Sequence, residues 1–268
     1  MLVYKYMSYK RFLESVTQEG VYLKISRPCE FNDPFDCAGT SRGAPTKELV
    51  TEIREKHMPG LDLFADNSIC KVLAVMLSSR RTFDSAYRVF SASDAKIVGT
   101  FEEMLMWAHY GDSFKGIRVA IDVDQVRAKC KRVRYEKVMP CLNLDVVKSL
   151  NPFSDNAVRK FLMQCLLTKN VAWRYEKERR IVFDVESPEV KRWTLRDSGA
   201  KVDEAMFMWT PDKTVIRQVC IGSEMSRTSE GVNNAVKLLQ RLNEHGYNIE
   251  GRMAIRGGRY GCCECQLR

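Results

Sequence analysis

The sequence predicts an α+β fold in a single mixed domain, with a largely antiparallel central sheet flanked by helices. Three observations lead there. Alternating and amphipathic segments intermix along all 268 residues without a regular strand–helix–strand rhythm. No internal repeat, low-complexity tract or long linker divides them. Hydrophobic residues make up 45% of the chain, enough for a full core, yet no apolar run approaches the ~20 residues that span a bilayer.

The elements follow in order. Val3-Tyr4-Lys5-Tyr6 reads as a strand, and Ser8 caps a helix through about Glu19 that Gly20 ends. Val21 to Ile25 is a second strand. In Glu30-Phe31-Asn32-Asp33-Pro34-Phe35-Asp36-Cys37 the Asn, Asp and Pro force a turn, and its two phenylalanines are expected to pin it to the core. Residues Lys47 to Ser78 read as irregular helix, broken at Pro59-Gly60. Arg88 to Ser93 is a short strand. Phe101, Leu105 and Ala108, with Met104 and Trp107, fall at helical spacing. Gly111 is placed to end that helix in the left-handed conformation. Ile117, Val119 and Ile121 then alternate with Arg118 and Ala120 as in a half-buried strand. Arg132 to Val138 is another strand. Ser154 or Asp155 caps a helix with Val158, Phe161, Leu162, Cys165 and Leu166 on one side. Alternation then places Glu178, Arg180, Val182 and Asp184 on one face of a strand. Val215 to Gly222, a helix from Ser229 to Glu244, and a strand from Ile249 to Ile255 complete the chain.

The net charge of +9 favours an anionic partner: nucleic acid, a nucleotide or a phosphorylated substrate. The charges are dispersed, so a solvated surface accounts for them equally well. The N-terminus lacks the basic, apolar and small-residue segments of a signal peptide, so the expected location is cytoplasmic, without membrane attachment. Ten cysteines are scattered, and only Cys262, Cys263 and Cys265 cluster. With three histidines in all, a zinc set of paired ligands is not expected, and free thiols are.

No phosphate-cradling glycine loop, dinucleotide fingerprint, zinc-protease helix or nucleophile elbow occurs. The chemistry-bearing residues gather elsewhere. Trp107, His109, Tyr110, Asp112, Ser113 and Lys115 meet at one helix-to-strand junction. The competing reading makes Trp107 and Tyr110 core aromatics and His109 a satisfied neighbour. Glu176 and Glu178, two apart at the start of a strand, can together stabilise a developing cation or activate a hydroxyl. Alternatively they pair with Arg174, Arg179 or Arg180 at the surface. Trp173 and Tyr175, interleaved with the charges, point to partial burial.

Four segments resemble the bacterial domain of unknown function family numbered 2971. They are Tyr4-Lys5-Tyr6, Phe31-Asn32-Asp33-Pro34-Phe35-Asp36, the block from Leu105 to Gly116, and Trp173-x-Tyr175-Glu176-x-Glu178-x-Arg180. The resemblance covers a core of about residues 3–184, leaving a strand–helix–strand extension over about 185–268. Ala108 stands where the family has serine and Phe114 where it has histidine, so no hydroxyl or imidazole role carries over there. More distantly, the element order looks like that of ADP-ribosyltransferases. That likeness implies NAD as co-substrate without a metal. Tyr4 or Tyr6 would be the first nucleotide contact, with Ser91, Trp107 and Tyr110 in the middle. Asn32, Asp33 and Arg180 would line the nucleotide, and Glu178, aided by Glu176 and His109, would be the catalytic group. A toxin or defence setting, with protein or nucleic acid as acceptor, goes with it. The alternative is a nucleic-acid-targeting effector, either a nuclease using His109 with Glu178 or a non-catalytic module stacking bases on Trp107 and Tyr110. The oligomeric state is not legible.

Overall fold

Val3, Tyr6 and Met7 are all buried on the opening strand, which therefore has protein on both of its faces rather than one. A computed structural model of the chain describes residues 1–57, 84, 86–126, 129–188, 190–195, 203–256 and 262–266, without the side chains at 192–195, 203–206, 226, 250, 253, 255–256 and 262–266. In chain order the elements are β1 (Leu2–Met7), α1 (Tyr9–Ser15), β2 (Val21–Ile25), β3 (Thr40–Arg42), α2 (Lys47–His57), β4 (Tyr87–Asp94), α3 (Phe101–Tyr110) and β5 (Ile117–Asp122). Then come β6 (Cys130–Arg132), β7 (Arg134–Glu136), β8 (Cys141–Asn143), α4 (Asn156–Leu166), β9 (Thr168–Asn170) and β10 (Glu178–Asp184). The last are β11 (Val190–Leu195), β12 (Asp203–Thr210), β13 (Ile216–Ile221), α5 (Ser229–Glu244), β14 (Glu250–Arg256) and β15 (Cys262–Gln266). The class is α+β, as the mixed rhythm of the sequence predicts. Among the described residues no helix is long and apolar enough to cross a membrane.

Backbone contacts group the chain into two compact units. The first holds Met1–Ile25, Phe90–Arg132 and Arg174–Arg268, the second Ser26–Val89 and Val133–Trp173.

The first unit is built on an eight-stranded sheet in the order β15-β14-β13-β5-β1-β4-β10-β6. In it β1 pairs antiparallel with β4 and β5, as do β5 with β13, β6 with β10 and β14 with β15, whereas β13 and β14 run parallel and are joined through α5. One face carries the larger core, where Val3, Val119, Ile121, Ile181 and Phe183 meet Phe12 of α1 and Ala235, Leu238 and Leu242 of α5. Below the other face lies α3, whose Met106 and Trp107 pack with Tyr6, Cys220 and Ala254. A sheet sandwiched this way buries alternate residues of its central strands on both sides. That corrects the half-buried expectation for β5: Arg118 and Ala120 are each 1% exposed.

Two further expectations change here. The first helix stops at Ser15 instead of Glu19, because β-branched Val16 bridges back to Val21. The Thr17 amide and hydroxyl both bond Gly20 O at 3.0 Å, closing the turn. Gly111 does end α3, but at φ −95°, outside the left-handed region. It is glycine because a Cβ there would lie 2.6 Å from Trp107 Cε3. The left-handed conformation falls instead on Asp112, Ser113 and Phe114, with φ of 51°, 52° and 67°. Each costs ~1–2 kcal/mol relative to the ordinary backbone. Backbone bonds offset that cost: Phe114 N to Trp107 O at 3.3 Å, Gly116 N to Gly111 O at 2.8 Å, and Glu224 N to Phe114 O at 3.0 Å. Gly222 allows the approach, since a Cβ there would sit 2.1 Å from Phe114 O. Overpacking of this kind costs about 1–3 kcal/mol. Gly222→Ala is therefore expected to lower the urea midpoint by at least about 1 kcal/mol equivalent, and an unchanged midpoint would show that the turn yields freely.

The second unit contains α2, α4 and two short parallel pairs, β3 with β8 and β7 with β9. The strand expected over Arg132 to Val138 is thus interrupted at buried Val133: β6 pairs with β10, whereas β7 pairs with β9. Asp155 caps α4, accepting from Ala157 N at 2.9 Å and Val158 N at 3.2 Å. The Asn32–Asp36 turn is held by its aspartates rather than by both phenylalanines. Asp33 accepts from Phe35 N at 2.9 Å, while Phe35 is 60% exposed. Buried Asp36 lies 3.5 Å from Lys169 Nζ, which rests 4.8 Å from the Trp173 ring centroid. Of the helix expected over Lys47 to Ser78, the part beyond His57 lies outside the described residues, as do Pro59-Gly60 and the side chains of Cys262, Cys263 and Cys265.

Candidate functional site

Partners in an antiparallel ladder share a face, so Tyr6 and Arg118, paired across β1 and β5, both project toward α3. There a buried carboxylate collects them. Glu103 Oε1 accepts from Tyr6 Oη at 3.3 Å, from Trp107 Nε1 at 3.2 Å, and from Arg118 Nη1 in a short ion pair. Glu103 Oε2 accepts from Gly99 N at 2.7 Å. Glu103 and Arg118 are each 1% exposed. Arg118 Nη2 also donates to Gln218 at 3.1 Å, and its guanidinium lies 4.7 Å from the Tyr4 ring centroid. Sequence reasoning missed this pair. Two signals pointed to it: Arg118 is the one charge within the apolar run Ile117 to Ile121, and Glu103 stands one helical turn before Trp107.

A second layer sits where the end of α3 meets the segment leading into β10. Tyr110 Oη donates to Glu176 Oε1 at 2.6 Å, and His109 Nδ1 lies 3.1 Å from Tyr175 Oη. The two residues ending the helix thus match two consecutive residues of the facing segment. Glu178 is buried and held in the fork of Arg180, with Nε to Oε1 at 2.7 Å and Nη2 to Oε2 at 2.9 Å. Arg180 itself is 0% exposed. The surface ion pairing considered for Glu178 is therefore a buried bidentate pair, formed along the face that alternation predicts. Between the two glutamates Lys177 adopts φ 46°. It hands the chain from a 3-10 turn to the strand while both carboxylates stay buried at 3% and 6% exposure.

The remaining expected residues divide by place. Tyr4 is half-buried on the α3 side of the sheet. Trp107 is 0% exposed and stacks on Phe114 at 6.2 Å, so it shapes the site from beneath, as the core reading has it. Tyr6 is likewise buried, edge-on to Trp107 at 5.2 Å. Ser91 Oγ is buried without a hydrogen-bond partner. His109 is exposed. Asn32, exposed, and Asp33, buried, belong to the second unit. Among the described residues no group of three or more His, Cys, Asp or Glu side chains is placed to hold a metal ion.

Burial and the Glu176 carboxylate both push the Tyr110 phenol far above its ordinary value near 10. The hydroxyl therefore stays protonated as a donor. A phenol whose folded value is raised adds stability that is complete below about pH 10 and declines as pH rises above it. Wild type is thus expected to lose more stability than Tyr110→Phe between about pH 9 and about 11 in urea unfolding. Equal losses would mean that Tyr110 ionises freely.

Comparisons with protein-family models, with curated proteins and with solved structures returned no match.

Proposed function

We propose that the protein is a nucleotide-using transferase of the ADP-ribosyltransferase kind, cleaving NAD and passing the ADP-ribosyl group to a macromolecule. The observation that carries the reading is the buried carboxylate pair Glu176 and Glu178, one tied to Tyr110 and the other to Arg180, beside the exposed His109–Tyr175 couple. In this reaction the nicotinamide–ribose bond breaks and its electron pair leaves with neutral nicotinamide. The ribose carbon, oxocarbenium-like, then bonds an acceptor nucleophile that gives up its proton. Glu178 is the group that stabilises the developing positive charge by accepting from ribose hydroxyls, and Arg180 keeps it ionised and oriented. Glu176, polarised by Tyr110, and His109 at the surface are the candidates to take the acceptor's proton. Tyr4 and Ser91 supply a ring and a hydroxyl on the nucleotide side. The net charge of +9 favours an anionic acceptor surface.

The test is incubation with labelled NAD and cell extract. Nicotinamide release together with label on protein or nucleic acid supports the proposal. Neither product, together with salt-sensitive nucleic-acid binding, would shift the assignment to an effector or module acting on nucleic acid.

A further inference from the structure

The first unit also holds a sheet of three antiparallel strands in the order β11-β12-β2. Its register sorts the side chains onto two faces, since residues paired across an antiparallel ladder share one. Val21, Leu23 and Ile25 of β2 and Met208 of β12 enter the larger core. Alternation turns Tyr22, Lys24, Phe207, Trp209 and Lys191 to the other face. There Phe207 pairs with Lys24 on one side and Lys191 on the other, so a ring stands between two cationic side chains. Beside that row Tyr22 pairs with Trp209, with ring centroids 6.3 Å apart and planes tilted by 47°. Lys191 is exposed and holds its ammonium 5.4 Å from the Trp209 ring centroid, while the three rings and Lys24 are half-buried. Positive charge continues past the β2 edge, where Arg11 and Lys24 both act to lower the Lys5 ammonium. The Glu19 carboxylate also stands here, accepting from Tyr22 Oη at 3.3 Å.

We infer that this face binds single-stranded nucleic acid, with bases stacking on Phe207 and Trp209 and backbone phosphates pairing with Lys24 and Lys191. Rings flanked by ammonium groups match the two parts of a nucleotide, a flat base and the adjoining phosphate. A duplex keeps its base faces within its own stack and offers such rings only edges and backbone. The contact between Lys191 and Trp209 does not bar the site. Cation–π attraction at an exposed lysine is weaker than stacking of a base on an aromatic ring, so an arriving base displaces the ammonium toward the phosphate. The net charge of +9 draws a polyanion to the protein as a whole, and the rings select among polyanions those with unstacked bases. The inference does not require the transferase reading.

Titration with oligothymidylate and oligouridylate over a range of salt concentrations, followed by tryptophan fluorescence, tests it. Wild type is expected to bind these oligomers with quenching, and more tightly than a DNA duplex of the same length. Trp209→Phe keeps a stacking ring, so binding persists while the quenching falls. Phe207→Ala is expected to weaken binding by about tenfold or more. Lys24→Gln and Lys191→Gln are each expected to flatten the dependence of log affinity on log salt by about 0.7. Lys148→Gln, at an exposed lysine of the second unit, leaves that slope unchanged. The lysine variants and Trp209→Phe keep the test valid if Phe207→Ala folds poorly. Tighter binding of oligouridylate identifies RNA as the source, and of oligothymidylate DNA. No oligomer binding, a duplex bound as tightly, or a slope that Lys24→Gln and Lys191→Gln leave at the wild-type value would overturn the inference. Oligomer bound at this face by a protein that does not cleave NAD would remove the transferase reading alone, and NAD cleavage by a protein that binds no oligomer would remove this inference alone.

Discussion

Replacing Arg118 with methionine is expected to lower the unfolding free energy by about 3–5 kcal/mol, the range for breaking one side of a buried ion pair. The size follows from what remains. Glu103, 1% exposed, would be left with only Tyr6, Trp107 and the Gly99 amide as neutral donors. Those donors solvate a carboxylate in part and supply no countercharge. Glu103 also ties α3 to β1 and, through Arg118, to β5 and Gln218 of β13. The double variant Glu103→Gln/Arg118→Met removes both charges, so its loss is expected to be smaller than that of Arg118→Met alone. Such a recovery is the mark of coupling between the two sites. Urea unfolding of the single and double variants decides the matter: a single variant within about 1 kcal/mol of wild type would mean the pair contributes little to holding α3 on the sheet.

The second large effect concerns turnover. Glu178→Gln is expected to cut nicotinamide release from NAD by about 10²–10³-fold, as losing one charge-stabilising group does. The same change leaves the guanidinium of Arg180, 0% exposed, facing a neutral amide, so it also costs stability. Glu176→Gln provides the separation. Its amide oxygen still accepts from Tyr110, and Arg180 keeps its carboxylate. Thermal melts therefore accompany the rates. A folded Glu178→Gln protein releasing nicotinamide at the wild-type rate would remove Glu178 from the chemistry.

Local pattern made much of the fold legible. The apolar spacing of Ala235, Leu238 and Leu242 marks α5 over Ser229–Glu244, because an amphipathic helix carries its own signal. The same is true of α3, and of the shared face of Glu178 and Arg180. What local pattern does not encode is which strand is central. The alternation of Ile117 to Ile121 describes one buried face, and only the packing of α3 over the other turns Arg118 into an interior residue. For the same reason Glu103 reads as an ordinary helix-start acid. Phe35 shows the converse: flanking aromatics suggest pinning, yet the carboxylates of the turn satisfy its backbone and leave the ring exposed. The matching of His109 and Tyr110 with Tyr175 and Glu176 joins segments 66 residues apart, which no window along the chain can contain.

The central position of β1 bears on how the chain comes off the ribosome. Tyr4 pairs with Ala120 and Ser93, so β1 lacks its flanking partners until both later segments have emerged. At roughly 5–20 residues per second that interval is on the order of ten seconds, during which an apolar, β-prone peptide waits unpaired. Nascent chains of this protein are expected to depend on chaperone shelter between the emergence of β1 and that of β5.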